Sequence, residues 1–244
     1  MKSLAKIVLA VALLTGAGQT FAKPALAVNI YGTETQDRHL SGFSAVNVSG
    51  SFDVYITQGS TESVKVEADD DVIDKIVTEV KGGVLKIYTK NTSGMSWNWG
   101  KSSKRAIYVV AKDLNNISLT GSGDVYFKDG IRTQTLAVNV SGSGDITGKI
   151  DVKNLQSSVV GSGDITLTGR AETSTVKVSG SGDYSGRNLI TSNTTVRVVG
   201  SGDASVNVSE KLDASVAGSG DVHYTGSAKN VATSKSGSGG ISRF

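Results

Sequence analysis

The chain has 244 residues, with 25 lysines and arginines, 22 aspartates and glutamates and a formal net charge of +3. So even a balance argues against an electrostatic nucleic-acid binder, which needs a clustered basic face. The chain contains no cysteine, which excludes disulfides and thioether lipid attachment and leaves packing alone to hold the fold together.

Residues 1–22 have the pattern of a secretory signal. Lys2 and Lys6 give a basic start, and the apolar run from Ile7 to Leu14 is too short to span a bilayer. Thr20-Phe21-Ala22 places small residues where a signal peptidase cuts, so we expect a mature chain from about Lys23. The alternative is an uncleaved amphipathic anchor. Cleavage predicts export to the periplasm or the cell surface, with no transmembrane segment in the mature chain.

A lead-in segment, 23–42, precedes a single predicted β-domain, 43–244. The first part of this β-domain, 43–112, is irregular, and the second part, 113–244, carries the repeats. From Phe43 apolar and polar residues alternate with a period of two, the pattern of a strand with one buried face. Gly50-Ser51-Phe52-Asp53 in this part is an altered copy of the repeat that follows.

Both tryptophans of the chain lie in a polar, glycine-flanked segment, 91–104, between two predicted strands. Trp97 and Trp99 are two residues apart, so on a strand edge they face the same way. Such a pair predicts a small aromatic platform suited to sugar rings or peptide side chains, and we take it as the candidate ligand-binding site. The alternative is that the rings cover one end of the core.

The tetrapeptide Gly-Ser-Gly-Asp begins at six positions and organises the rest of the chain. The copies start at Gly121, Gly142, Gly161, Gly180, Gly200 and Gly218, and an altered copy occupies 237–240. The steps between them are 18 to 21 residues, a period typical of solenoids. Two residues before each first glycine stands a leucine or valine, so stacked coils would align these side chains in a core. The prediction is an all-β parallel β-helix with coils of about 19 residues.

Counting in twos from the valines places both glycines inward and sends the serine and aspartate outward. The aspartates would then form a column of mutually repelling carboxylates. One explanation is structural, with each carboxylate accepting hydrogen bonds from its own turn and from the neighbouring serine. The alternative is a calcium-stabilised repeat protein, although calcium-binding glycine/aspartate repeats have a shorter period.

Enzymatic signals are few. Only His39 and His223 are present, and neither a thiol nor a Gly-x-Ser-x-Gly motif occurs. The aspartate column could supply the carboxylates of a carbohydrate-active β-helix enzyme, but no repeat departs from the others as an active site should. We therefore expect a protein that is not an enzyme, with no catalytic residue, no metal site and no cofactor.

Several motifs, in order, resemble the bacterial head GIN domain family, whose name describes an autotransporter adhesin. They are 38–46 (RHLSGFSAV), 50–59 (GSFDVYITQG), 83–87 (GVLKI), 224–226 (YTG) and 236–241 (SGSGGI). The resemblance covers nearly all of the mature chain and implies a right-handed parallel β-helix. It implies no particular binding residue.

These observations predict an exported, non-enzymatic β-helix of the cell envelope that acts as a binding, adhesion or scaffolding module. Its expected partner is a cell-surface glycan or an envelope protein, and not a nucleic acid.

Overall fold

The computed structural model describes residues 32–90 and 105–244. The predicted signal, 1–22, lies outside these residues. In the described ranges no helical segment has the length and apolar character needed to cross a membrane. The chain there forms one 3₁₀ turn, Ile73–Lys75, and sixteen strands. In chain order the strands are β1 (Thr33–Asp37), β2 (Ala45–Gly50), β3 (Asp53–Gln58), β4 (Ser63–Asp69), β5 (Ile76–Lys81), β6 (Val84–Thr89), β7 (Arg105–Ala111), β8 (Asn116–Gly121), β9 (Asp124–Gly142), β10 (Ile146–Gly161), β11 (Ile165–Gly180), β12 (Tyr184–Gly200), β13 (Ala204–Gly218), β14 (Val222–Thr225), β15 (Asn230–Gly237) and β16 (Ile241–Arg243).

The long strands β9 to β13 stack in parallel, each beside the next in the chain. Their register places the first glycine of one repeat opposite the first glycine of the next, as Gly161 lies opposite Gly180. Each strand is one coil that bends around the axis of the stack. The predicted parallel β-helix is confirmed, with coils of about 19 residues and about 7 turns.

The core is built from rows of apolar side chains that the register aligns across coils. Val159, Val178 and Val198 occupy one such row, and each is at most 1% exposed. Along each strand the buried residues alternate with exposed ones, and Lys177 and Arg197 are among the residues that point to solvent. Because full burial of one such side chain stabilises the fold by about 1.5–3 kcal/mol, the rows hold the coils together.

Both glycines of each repeat are required where the chain turns between coils. The first glycine adopts a positive φ, +127° at Gly180, which is costly for any residue with a Cβ. The second is buried, and a Cβ on Gly182 would lie 2.1 Å from the carbonyl oxygen of Gly163 in the preceding coil. The prediction that both glycines occupy inward positions is confirmed for the second glycine, while the first is half-buried.

The N-terminal coils do not stack in chain order. β2 lies between β6 and β8, and β3 lies between β7 and β9, so both strands are flanked by segments that come later in the chain. Antiparallel strands β1, β4 and β5 complete this end of the stack. Gly50 pairs with Gly121 and Asp53 with Asp124, which confirms that 50–53 is a copy of the repeat.

Candidate functional site

Three tyrosines from three different strands stack on the outer face of the N-terminal coils. Tyr55 of β3 lies opposite Tyr108 of β7 on one side and Tyr126 of β9 on the other. Its ring centroid is 5.3 Å from each neighbour, with interplanar angles of 18° and 19°. We call Tyr108, Tyr55 and Tyr126 the tyrosine ladder. Its spacing follows from the distance between adjacent strands.

Two rings of the tyrosine ladder are exposed to solvent although they stack, and the third, Tyr126, is half-buried. Tyr55 is 39% exposed and Tyr108 is 40% exposed. Both faces of the Tyr55 ring are occupied by its neighbours, so this side chain presents its edge and its hydroxyl outward. Aromatic ring edges carry partial positive charge and attract oxygen atoms. The ladder therefore suits an oxygen-rich ligand that lies across the strands.

Charged side chains orient the two outer tyrosines. The Tyr108 hydroxyl donates to Glu67 Oε2 at 3.1 Å, and the Tyr126 hydroxyl donates to Asp124 Oδ2 at 3.0 Å. Lys128 Nζ lies 5.5 Å from the centroid of the Tyr126 ring, within range of a cation–π interaction. Partial burial is the larger cause, and the hydrogen bond to Asp124 the smaller one, that together raise the pKa of Tyr126 to about 12. This phenol therefore stays protonated at neutral pH.

The outward aspartates form a second ladder, with one residue from each repeat. Asp183 Oδ1, for example, accepts a hydrogen bond from the backbone N–H of Asp203 in the next coil at 2.7 Å. The expectation that each carboxylate accepts from its own turn and from a neighbouring serine is wrong, because the N–H groups that point at it belong to the following coil. Members of this aspartate ladder are Asp124, Asp145, Asp164, Asp183, Asp203 and Asp221.

The aspartate ladder does not extend to the altered first copy. The N–H of Asp124 donates to the carbonyl oxygen of Phe52 at 2.9 Å, because Phe52 replaces the second glycine there. Burial and the nearby carboxylate of Asp124 raise the pKa of Asp53, and Arg105 partly opposes them. Without a bridging N–H, only Arg105 offsets part of the repulsion between these two carboxylates.

Among the described residues, no three or more histidine, aspartate or glutamate side chains are grouped so as to hold a metal ion. The two histidines lie at opposite ends of the stack, since His39 follows β1 and His223 belongs to β14. The Nδ1 atom of His223 lies 3.0 Å from Ser242 Oγ, and the His223 ring lies against the Phe244 ring, with 5.8 Å between the ring centroids.

The predicted aromatic platform of Trp97 and Trp99 lies outside the described residues. The tyrosine ladder, which the structure does describe, was not predicted. A signal for part of it exists in the sequence, because Tyr55 and Tyr126 each stand two residues after the aspartate of their own repeat copy. Tyr108 follows no such copy, and only the stacking of β7 on β3 brings it into line.

Comparison with known proteins agrees with this fold. No protein with a curated description matches the chain in sequence. In the crystal structures, a "putative adhesin" from Bacteroides fragilis is 26% identical, with a TM-score of 0.80 over 87% of this chain and 97% of that one. A "putative lipid binding protein" from Parabacteroides distasonis is also 26% identical, with a TM-score of 0.69 over 87% and 96%.

A further "putative adhesin", from Parabacteroides merdae, has 20% identity and a TM-score of 0.70 over 87% of this chain and 96% of that one, which shows the shared fold alone. The family profile described as "Putative auto-transporter adhesin, head GIN domain" matches residues 42–228. Since that match spans most of the β-helix, the resemblance stated from the sequence is confirmed, and the chain belongs to the head GIN domain family.

Proposed function

We propose that this protein is an exported, non-enzymatic adhesion module that binds a polysaccharide of the cell surface or envelope along the tyrosine ladder. The observation that carries the proposal is the stack of three tyrosines, two exposed and one half-buried, on the outer face of the β-helix. The family description and the similar adhesin from Bacteroides fragilis support an adhesion-type role.

The chemistry of the ladder favours a saccharide. Sugars carry many hydroxyl oxygens, which can contact the ring edges and accept a hydrogen bond from the Tyr55 phenol. Glu67 and Asp124, which hold two of the phenols, can also accept hydrogen bonds from sugar hydroxyls. Side chains held by stacking and hydrogen bonds lose little entropy when a ligand binds.

A glycan array followed by affinity measurement on the strongest polysaccharide tests the proposal. In Tyr55→Thr the middle ring is replaced by the residue that Thr147 and Thr166 supply in the same outward row of later coils. We expect the variant to keep its fold and to lose affinity about tenfold or more. Thr166→Ser is the matched control and should bind like the wild type.

Equal affinity of wild type and Tyr55→Thr on every binding glycan would contradict the proposal. Trp97 and Trp99 remain a second proposed contact, and a Trp97→Ala/Trp99→Ala variant in the same assay tests them separately. Vesicles of phosphatidylglycerol form a further arm, because one similar protein is described as lipid binding. Binding to vesicles without binding to any glycan would favour that alternative.

Export and the absence of catalysis are parts of the same proposal. The predicted signal at 1–22 and the adhesin description support a periplasmic or cell-surface location. Fractionation of cells that express the tagged full chain tests the location, and a cytoplasmic product of unprocessed mass would contradict it. Release of reducing or unsaturated sugars from a bound polysaccharide would contradict the non-enzymatic role.

A further inference from the structure

A groove of about 710 Å³ opens on the outer surface beside the tyrosine ladder, where β9, β10 and β11 turn. Its volume is within the range of ligand-binding pockets. Three cationic side chains, two carboxylates and one exposed apolar residue supply most of its chemistry: Arg132, Lys149, Arg170, Asp129, Asp151 and Ile190. The groove thus carries more positive than negative charge, and Ile190, at 57% exposed, adds an apolar contact.

Two arginines in the groove share one carboxylate. The register places Asp151 between Arg132 and Arg170 of the adjacent coils. Arg132 Nε lies 3.5 Å from Asp151 Oδ2, and Arg170 Nε lies 3.9 Å from Asp151 Oδ1. Both arginine side chains are largely exposed, at 83% and 72%, so these pairs are weak and screened by water. Because two guanidinium groups share one carboxylate, one positive charge is not neutralised. It can bind a second anion.

Each arginine pairs with Asp151 through Nε. Since no hydrogen bond from the terminal nitrogens of Arg132 or Arg170 is found in the described residues, these nitrogens can bind a ligand. In the described ranges 32–90 and 105–244, Lys149 makes no ion pair. A guanidinium group binds a carboxylate in a two-pronged geometry, and a lysine adds a point charge. The groove therefore matches negative groups that are spaced along a chain.

The wall of the groove is fixed by hydrogen bonds to β3, the strand that carries Tyr55. Gln58 Oε1 accepts from the backbone N–H of Arg132 at 2.8 Å, and Gln58 Nε2 donates to the carbonyl oxygen of Arg132 at 3.1 Å. The hydroxyl of Thr57 donates to Asp129 Oδ2 at 3.3 Å. These contacts join the groove to the tyrosine ladder as one preformed surface.

The distance between the two parts is short. Tyr126 and Arg132 belong to the same strand and are six residues apart, at most about 20 Å in extended chain. A saccharide of several units can contact both, whereas an isolated phosphate or sulfate ion can contact only the groove. The length of the combined surface thus favours an oligomeric ligand.

We propose that the ligand of this surface is an acidic polysaccharide, whose carboxylate groups bind Arg132, Arg170 and Lys149 while neighbouring sugars contact the tyrosine ladder. The proposal rests on the proposed function and names its class of ligand. Asp124, Asp129 and Asp151 on the same surface would repel the continuous negative charge of an anionic membrane. Discrete carboxylates on a sugar chain can be placed between them.

The test measures affinity for polygalacturonate and for the same polymer after chemical reduction of its carboxyl groups. We expect the wild type to bind the acidic polymer about tenfold or more tightly than the reduced one. The variant Arg132→Gln/Arg170→Gln should lose that preference and keep its affinity for the reduced polymer. Raising the salt concentration from about 50 to about 500 mM should weaken only the binding of the acidic polymer to the wild type.

Lys177→Gln/Arg197→Gln is the matched control, because it removes two exposed cations that are likewise paired across adjacent coils, but outside the groove. Its affinity for both polymers should stay within about twofold of the wild type. Circular dichroism confirms the fold of both double variants. If the control variant loses affinity for the acidic polymer as the groove variant does, the overall positive charge of the protein explains the preference. The proposal is then overturned.

Three further outcomes separate this inference from the proposed function. If the wild type and the groove variant Arg132→Gln/Arg170→Gln bind the acidic polymer with equal affinity, the inference is overturned. In that case, a lower affinity of Tyr55→Thr for both polymers would still support the ladder. If Arg132→Gln/Arg170→Gln loses affinity for the acidic polymer while Tyr55→Thr keeps it, the result supports the anion site. The same result overturns the ladder as a binding surface. Binding of phosphatidylglycerol vesicles without binding of either polymer overturns both.

Discussion

Asp183 Oδ1 accepts a hydrogen bond from the backbone N–H of Asp203 at 2.7 Å, across the boundary between two coils. The same contact recurs along the stack, from Asp145 N–H on Asp124 to Gly240 N–H on Asp221. Each carboxylate therefore lies against a backbone donor of the next coil, which offsets its repulsion by neighbouring carboxylates. The aspartate column is explained by the contacts between coils.

Removing one member of the aspartate ladder should weaken the stack. Asp183→Ala leaves the N–H of Asp203 without this acceptor and should lower the free energy of unfolding by about 1 kcal/mol. Asp183→Asn keeps an acceptor oxygen and should cost less. Urea unfolding followed by circular dichroism measures both, and equal losses would show that the charge matters more than the hydrogen bond.

The second glycine of a repeat should tolerate no side chain. In Gly182→Ala the new Cβ would meet the backbone of the preceding coil at 2.1 Å, so we expect a loss of about 4 kcal/mol or more, or no folded protein. Gly130→Ala is the control, because its φ of +98° gives strain of about 1–2 kcal/mol while the nearest atom, on Lys149, is 3.8 Å away. Similar unfolding midpoints for the two variants would contradict the steric explanation.

Tyr184 should be replaceable by phenylalanine. Its side chain is in the core, where burial raises the pKa of the phenol against the opposing effect of the nearby Ser157 and Ser174 hydroxyls, and its hydroxyl makes no hydrogen bond of good geometry among the described residues. The hydroxyls of its polar neighbours Ser157 and Ser174 are also unsatisfied. Tyr184→Phe should leave stability unchanged or raise it by about 1 kcal/mol, whereas Tyr184→Ala should cost about 3–5 kcal/mol. A clear loss in Tyr184→Phe would reveal a hydrogen bond to the phenol.

Asp53 should reduce stability at neutral pH. Its pKa in the folded protein is raised above the ordinary value of 3.8, so the ionised form destabilises the fold above the folded pKa, and the cost disappears as the pH falls through it. Asp53→Asn should gain up to about 0.5 kcal/mol at pH 7, since water screens this site, and nothing below about pH 3.8. Thermal melts across this range, with exposed Glu172→Gln as control, test the sign. A gain that persists at low pH would exclude the charge as its cause.

Calcium removal should leave the fold intact. Because the aspartate ladder is satisfied by backbone N–H groups, we expect the same melting temperature in a chelator as in added calcium. A midpoint that rises with calcium and falls with chelator would support the calcium-stabilised alternative instead.

The fold could be predicted because the repeat aligns its own columns, whereas the binding surface depends on departures from the repeat. The coil that starts at Gly121 has 21 residues, and the register shifts between Gly148 and Ile150. Alignment on the glycines therefore does not place Arg132 beside Asp151, although the structure does. Likewise, the valine columns predict that coils touch, but they do not reveal which coil supplies the N–H that reaches Asp183.

The position of β3 between β7 and β9 has a consequence for synthesis of the chain. Neither neighbour of Tyr55 exists until residues 108 and 126 have been made, so both edges of β3 stay unpaired while the chain emerges. The later coils, by contrast, can each add to the one just finished. Since non-local pairing is slow, we expect the N-terminal coils to form the tyrosine ladder only after the first regular repeat is present. A ribosome-bound fragment that ends before residue 105 should therefore lack it.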